Sequence, residues 1–209
     1  MNIESISRKA LTILKLKYGL PKRGFLAGGS LANTIWGIIS GNKPVINDID
    51  IFLYSNEKEK EKEKEDPENT YFECYLHITG SSENDSYIIR KSETIGNLNF
   101  INYESVNPSP YLIISSFDIN CTQVGYSIEE DKFYWTDDFI KFLDSGELKI
   151  SNLNTPAHTA IRILKKKNEL NAHLNQFEIE ICQYVLNNRS IFSDIRSIRF
   201  MQKYADMYI

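Results

Sequence analysis

A Gly-Gly-Ser turn between a short apolar run and a helix-length segment constrains the fold of this 209-residue chain most strongly. The run Phe25–Ala27 is broken by Gly28 and Gly29, and Ser30 opens an apolar segment that reaches about Ile39. A strand, a glycine turn and a helix in this order indicate a small α/β unit. Glycine lets backbone N–H groups approach a ligand closely, and a helix N-terminus attracts anions, so the turn suits phosphate. We expect Ser30 to cap the helix and to add a hydroxyl donor.

Two aspartates follow one helix length later. Asp48 and Asp50 alternate with Ile49 and Ile51, so on a strand both carboxylates share one face while the isoleucines enter the core. Neighbouring carboxylates repel unless a cation lies between them, and Mg²⁺ prefers oxygen ligands. A third carboxylate, Asp118, lies in another apolar-flanked stretch that we predict to be a strand. The pattern therefore predicts a metal site beside a phosphate site.

The order of these motifs resembles the DNA polymerase β-like nucleotidyltransferase superfamily over roughly residues 23–126. That superfamily has a Gly-Gly or Gly-Ser turn opening a helix, then Asp-x-Asp on a strand, then a third aspartate on a later strand. By this resemblance Gly28, Gly29 and Ser30 would contact a triphosphate. The aspartates Asp48, Asp50 and Asp118 would be catalytic and would hold one or two Mg²⁺ ions, or Mn²⁺.

The resemblance implies a fold and a reaction as well. The fold would be α+β, with a small mixed sheet, flanking helices and a C-terminal helical segment. The reaction would move a nucleoside monophosphate from an NTP to an acceptor hydroxyl and release pyrophosphate. The chain departs from the pattern in having 17 residues between Ser30 and Asp48, more than is usual, and we assign the excess to the loop 40–45.

A basic helix is predicted after Thr155. Pro156 suits a first helical turn, and the segment that follows contains Arg162, Lys165 and Lys166. It resembles the helix that follows the catalytic domain in tRNA nucleotidyltransferases, which implies that Arg162, with Lys165 and Lys166, faces the nucleotide or the acceptor. An amphipathic helix with a solvated basic side explains the same pattern equally well.

The chain divides into a predicted catalytic domain, 1–150, and a helical segment, 151–209. Residues 57–66 form a charged loop insertion in the first part, because glutamate and lysine alternate there and cannot be buried. Further helices are predicted over Phe177–Leu186 and Ile195–Tyr208. The composition allows one domain with a helical appendage.

Charge and hydropathy restrict the partners. A net charge of −4 argues against general polyanion binding, although the basic helix favours RNA slightly among the acceptors. The acceptor stays open between an RNA 3′ end such as that of tRNA, a protein and a small molecule. The chain has no signal-peptide pattern and no apolar stretch of membrane-spanning length, so we expect a cytoplasmic protein that does not contact a membrane.

Two other functions compete with nucleotidyl transfer. A non-catalytic nucleotide-binding module would keep the same fold, but it would be free to lose carboxylates that repel one another. A metal-dependent phosphohydrolase would use the same three aspartates on water. The glycine turn favours the transferase over the hydrolase because it is suited to holding a triphosphate tail as the leaving group.

Overall fold

The structure is a computed structural model, and it describes residues 2–54, 74–77, 86–153 and 155–188. The predicted charged insertion 57–66 and the predicted last helix, Ile195–Tyr208, lie outside these residues. Most other predicted elements are present. The helices are α1 Ile3–Tyr18, α2 Gly29–Ser40, α3 Pro110–Ser115, α4 Asp137–Ser145, α5 Pro156–Leu170 and α6 Gln176–Asn187. The strands are β1 Phe25–Ala27, β2 Ile49–Tyr54, β3 Cys74–His77, β4 Ser86–Ile95, β5 Leu98–Ser105, β6 Val124–Ser127, β7 Lys132–Trp135, β8 Glu147–Leu148 and β9 His173–Leu174.

A seven-stranded mixed sheet carries the fold, in the order β3-β4-β5-β2-β1-β6-β7. Strand β2 is parallel to β5, whereas the other neighbouring pairs in this sheet are antiparallel. Strands β8 and β9 form a small separate parallel pair. The predicted α+β class with a small mixed sheet and flanking helices is confirmed.

The two faces of the sheet bury different clusters. On one face Ile49 and Ile51 of β2 are fully buried among residues of α1, α2, α4, α5 and α6. On the other face Phe52 packs with residues of β4, β5 and α3. Because side chains alternate along a strand, Asp50 lies on the same face as Phe52. The predicted alternation of β2 is therefore confirmed for its apolar residues.

The helical segment after residue 150 shares its core with the sheet. Ala157 and Ile161 of α5 and Cys182 of α6 belong to the same buried cluster as Leu26 of β1. Trp36 of α2 also donates its indole N–H to the carbonyl oxygen of Leu170, at the end of α5, over 2.8 Å. The predicted boundary at residue 150 stays a prediction, and core packing runs continuously across it.

Two local predictions need correction. Helix α2 is preceded by Gly28 as its N-cap, so Ser30 lies inside the first turn and does not cap it. Asp118 is not on a strand. The next residue, Ile119, pairs with Ile150 in an isolated bridge, and a 3₁₀ turn follows it. Strand β6 begins only at Val124.

Within the described parts of the chain, none of the helices combines the length and the apolar character needed to cross a membrane.

Candidate functional site

The glycine turn and Asp50 lie side by side because β1 and β2 are paired. Ala27, the last residue of β1, is opposite Asp50 in the antiparallel register, which brings Gly28 to the aspartate. Gly28 has φ +85°, a backbone conformation that favours glycine. A Cβ at Gly28 would lie 3.6 Å from the Phe117 ring and 3.9 Å from Asp50 Oδ2. We call the turn Gly28–Ser30 the cradle, and Asp50 Oδ2 lies at its edge.

Ser30 supplies a buried hydroxyl in the first turn of α2. The residue is 5% exposed, and its Oγ has no hydrogen-bond partner among the residues that the structure describes. First-turn N–H groups of a helix also lack acceptors within the helix. An unsatisfied buried hydroxyl beside such N–H groups is costly unless a ligand binds there, so this end of α2 is suited to an anion.

Lys166 brings a positive charge to the same turn. Its Nζ would lie 3.5 Å from a Cβ at Gly29, so the ammonium stands directly beside the turn. Nζ donates to Asn33 Oδ1 over 3.2 Å and pairs with Glu169 Oε2 at 3.2 Å. Asn33 in turn donates to the carbonyl oxygen of Val45 over 2.6 Å. These contacts fix the lysine between α2 and the loop that leads to Asp48.

Asp50 is a carboxylate whose ionised form is disfavoured. Burial, and then the nearby charge of Asp48, raise the pKa of Asp50, and the Asn99 hydrogen bond and the Arg162 charge oppose them, leaving it at about 6. Asn99, opposite Asp50 on the parallel strand β5, donates from Nδ2 to Asp50 Oδ1 over 2.7 Å. The Ser92 hydroxyl donates to Asn99 Oδ1 over 2.7 Å, which orients the amide toward the aspartate.

The Asp48 and Asp50 carboxylates have the donor chemistry to hold a divalent cation. Asp48 is exposed and immediately precedes β2, and its charge disfavours ionisation of Asp50. A cation between two such carboxylates would remove this repulsion, and carboxylate oxygens are the donors that Mg²⁺ takes. Asp50 Oδ1 is held by Asn99, whereas Oδ2 faces the glycine turn. The pair thus offers oxygen ligands at the edge of the cradle.

Asp118 is held by α5. Its Oδ2 accepts a hydrogen bond from the Thr159 hydroxyl at 3.0 Å, and its Oδ1 lies 3.1 Å from Arg162 Nη1. Across residues 2–54, 74–77, 86–153 and 155–188, no three His, Cys, Asp or Glu side chains are arranged to hold a metal ion. That Asp48, Asp50 and Asp118 share metal ions stays a prediction, and in the structure Asp118 contacts a guanidinium and a hydroxyl.

The basic helix is placed against the site, with its charges partly neutralised. Arg162 pairs with Asp118, and Lys165 Nζ lies 3.5 Å from Glu169 Oε1. Of the two neighbouring lysines, Lys166 stands beside the turn. Whether Arg162 and Lys165 contact a nucleotide stays a prediction.

Asn99 and Thr159 were not predicted from the sequence. Asn99 could be identified as the partner of Asp50 only when the parallel register of β2 and β5 was known, and no short motif encodes that register. The alternation of Asn97 and Asn99 with Leu98 and Phe100 was the available signal that one side of β5 begins with polar residues. Thr159 lies one helical turn before Arg162, so the two could have been paired only once Asp118 was known to face α5.

The comparison with protein families is decisive for residues 4–145, which are more than half of the chain. They match the description "Gabija anti-defense 2 family protein". The chain belongs to the Gabija anti-defense 2 family. No curated protein is similar enough to the chain to count as a match.

Solved structures show the same fold. A CCA-adding enzyme in complex with ATP aligns with TM-score 0.54 at 12% identity, covering 95% of this chain and 49% of that one. A CCA-adding enzyme in complex with CTP aligns with TM-score 0.51 at 13% identity, covering 98% of this chain and 53% of that one. This member of the Gabija anti-defense 2 family therefore has a nucleotidyltransferase fold, and it spans about half the length of these structures.

Proposed function

We propose that this protein is a metal-dependent nucleotidyltransferase that moves a nucleoside monophosphate from an NTP to an acceptor hydroxyl. The observation that carries the proposal is the junction of the Gly28–Ser30 turn with Asp50, where Asp50 Oδ2 would stand 3.9 Å from a Cβ at Gly28. An anion-binding turn and a carboxylate that requires a cation are the two parts that phosphoryl chemistry needs next to one another.

The residues of the cradle would bind the leaving group. The first-turn N–H groups of α2 and the Ser30 hydroxyl would donate to phosphate oxygens, and Lys166 would balance part of their charge. The side chains of Asp48 and Asp50 would hold Mg²⁺. When bound, this ion supplies charge neutralisation at the phosphates. The acceptor oxygen would form a bond to the α-phosphorus, the bond to the β-phosphate oxygen would break, and the hydroxyl proton would pass to solvent.

The fold supports the proposal and leaves the substrate open. The structures that align with TM-scores of 0.54 and 0.51 are CCA-adding enzymes in complex with ATP and CTP, so an NTP is the natural first ligand to test. Arg162, Lys165 and Lys166 each have an acidic partner, which leaves less unbalanced positive charge on α5 for RNA than the sequence alone indicated. Protein and small-molecule acceptors therefore stand beside RNA.

The family supports a biological setting for the transfer. A Gabija anti-defense 2 protein is expected to act against Gabija defence, and a transferase would do so by modifying a component of that defence or a molecule on which it depends. Small stand-alone transferases of this superfamily also occur in phage-defence systems, where they modify tRNA or a partner protein. This analogy supports a macromolecular acceptor in the same setting.

A direct labelling experiment tests the proposal. The purified protein is incubated with Mg²⁺ and each α-³²P-labelled NTP in turn, with total tRNA or with extract from cells that do or do not express a Gabija system. The matched control is the double variant Asp48→Ala, Asp50→Ala. We expect label on RNA, protein or a small molecule with the wild type only, together with free pyrophosphate.

Two results would point to the competing functions. Free nucleoside monophosphate without labelled acceptor would indicate a phosphohydrolase. Metal-dependent NTP binding without any product would indicate a non-catalytic nucleotide-binding module. The second alternative is supported by the contacts of Asp118, whose two oxygens meet Arg162 and Thr159.

A further inference from the structure

We propose that Asp118 is a positioning residue that holds Arg162 toward the nucleotide, and that it is not a metal ligand. The inference rests on the proposed function, since it assigns a task within the same site. It departs from the superfamily resemblance, in which a third aspartate binds metal. The evidence is the set of groups that surround the Asp118 carboxylate.

Both oxygens of Asp118 are engaged by one helical turn of α5. Thr159 donates to Oδ2 over 3.0 Å, and Arg162 Nη1 lies 3.1 Å from Oδ1. The second contact does not meet hydrogen-bond geometry, so it is an ion pair. A carboxylate already balanced by a guanidinium has little affinity left for a divalent cation, because the cation would have to displace the arginine.

The backbone of Asp118 is fixed as firmly as its side chain. Its carbonyl oxygen accepts hydrogen bonds from the N–H groups of Ser151 at 2.8 Å and Asn152 at 3.3 Å. Asn152 also donates from its side chain to the carbonyl oxygens of Ser115 and Phe117. A carboxylate on so constrained a segment can act as a rigid anchor for a longer side chain.

Arg162 is the partner that retains access to a ligand. Its side chain is 36% exposed, whereas that of Asp118 is 11% exposed, so the carboxylate is enclosed and the guanidinium keeps an open side. Arg162 lies one helical turn before Lys166 on α5, and Lys166 Nζ stands 3.5 Å from a Cβ at Gly29, so both cations come from the side of α5 that is next to the turn. A guanidinium has five N–H donors, so Arg162 can contact Asp118 through Nη1 and present other donors to a phosphate or the base.

A double-mutant cycle on nucleotide binding separates the two roles. The binding of a fluorescent, non-hydrolysable ATP analogue and of Mn²⁺ alone is measured for the wild type, Asp118→Asn, Arg162→Gln and the double variant. We expect Arg162→Gln to weaken binding of the analogue about 30-fold and Asp118→Asn about 10-fold. The double variant should bind no more weakly than Arg162→Gln alone, and Mn²⁺ affinity should stay within about twofold throughout.

Thr159→Val is the matched control. It removes the second donor to Asp118 but leaves Arg162 and its ion pair in place, so analogue binding should change less than about twofold. A loss equal to that of Asp118→Asn would mean that any disturbance of this buried cluster weakens binding, which would overturn the inference. Circular dichroism and thermal melting verify that each variant is folded.

The remaining outcomes distinguish the inference from the proposed function. If the wild type binds the analogue but the losses of binding free energy in Asp118→Asn and Arg162→Gln add up in the double variant, the positioning role alone is overturned. If Asp118→Asn abolishes Mn²⁺ binding, Asp118 is a metal ligand and the inference is wrong. If the wild type binds neither the analogue nor Mn²⁺, the proposed function fails and the nucleotide role of Arg162 fails with it.

Discussion

The Asn99 amide donates to Asp50 Oδ1 over 2.7 Å, and this hydrogen bond is the largest favourable influence on the ionised form of Asp50. Burial and the charge of Asp48 act in the opposite direction and leave the pKa at about 6. The hydrogen bond crosses from β5 to β2, the parallel pair of the sheet. The pKa of Asp50 therefore depends on a residue of the neighbouring strand as well as on the charge of Asp48.

Removing this amide should weaken metal binding. In Asn99→Ala the pKa of Asp50 should rise above about 6, because a hydrogen bond that favours the carboxylate is lost. Loss of an outer partner of a ligating carboxylate should then reduce Mn²⁺ affinity about tenfold near pH 7. Calorimetric titration at several pH values measures both effects. Asn102→Ala, on the same strand, is the control, and an unchanged pH profile in Asn99→Ala would contradict the prediction.

Asp50 should destabilise the metal-free protein at neutral pH. Its folded-state pKa is raised from 3.8 to about 6, so its contribution to stability is present below pH 3.8 and is lost as the pH rises through about 6. The loss amounts to about 3 kcal/mol at most. Asp50→Asn, which can still accept from Asn99, should therefore be more stable than the wild type at pH 7.5 in EDTA.

Urea unfolding at pH 4 and pH 7.5 tests this expectation for Asp50→Asn. The gain should appear at pH 7.5 and shrink toward pH 4, where the wild-type carboxyl is protonated. Asp48→Asn is the comparison, since the exposed Asp48 contributes only through its effect on Asp50. Equal or lower stability of Asp50→Asn at pH 7.5 would show that ionised Asp50 is compensated in the folded state.

Alanine substitutions at the two glycines of the turn should have different effects on stability and on nucleotide binding. Gly29 is the first residue of α2, and a Cβ there meets Lys166 Nζ at 3.5 Å, an ordinary contact distance. Gly29→Ala should therefore change the free energy of unfolding by less than about 0.5 kcal/mol. Its methyl group would occupy the place where a phosphate approaches, so binding of an ATP analogue should fall at least about tenfold.

Gly28→Ala should instead lose stability. At φ +85° a non-glycine residue is strained, which should cost about 1–2 kcal/mol. Gly96→Ala, at φ +63° with no atom within 4 Å of the added Cβ, separates conformational strain from crowding. Thermal melting and analogue binding measured on all three variants provide the test. If Gly29→Ala binds the analogue like the wild type, the turn does not hold phosphate.

Lys166 should matter more to nucleotide binding than its neighbour Lys165. Lys166 Nζ stands 3.5 Å from a Cβ at Gly29, whereas Lys165 Nζ lies 3.5 Å from Glu169 Oε1. We expect Lys166→Gln to weaken binding of an ATP analogue about tenfold and Lys165→Gln less than about twofold. The two variants are well matched because each leaves Glu169 with one lysine partner. Equal losses would indicate a diffuse electrostatic effect, which added salt would then suppress.

The sequence was most informative where a local pattern determines structure. Glycine breaks and alternation placed β1, α2 and β2. The neighbouring turn and Asp50 meet because β1 and β2 pair directly. Each of these features depends on residues that are close along the chain.

The sequence was less informative where partners are distant. Asp118 has the same side chain whether it faces a metal or an arginine, and only the packing of α5 brings Thr159 and Arg162 to it. The choice between Lys165 and Lys166 likewise depends on the rotation of α5 against α2. A helical basic cluster predicts that some cation faces inward, but it does not identify which one.

The site is divided between two stretches of the chain that have different relationships to the family. The turn, Asp48, Asp50 and Asn99 all lie within residues 4–145, the part that matches the Gabija anti-defense 2 family, whereas Arg162 and Lys166 come from α5, beyond that part. The negative and positive charges of the site therefore come together through the packing of α5 against α2, where Lys166 donates to Asn33. A change that displaces α5 would remove these cations and leave the turn and the carboxylates in place.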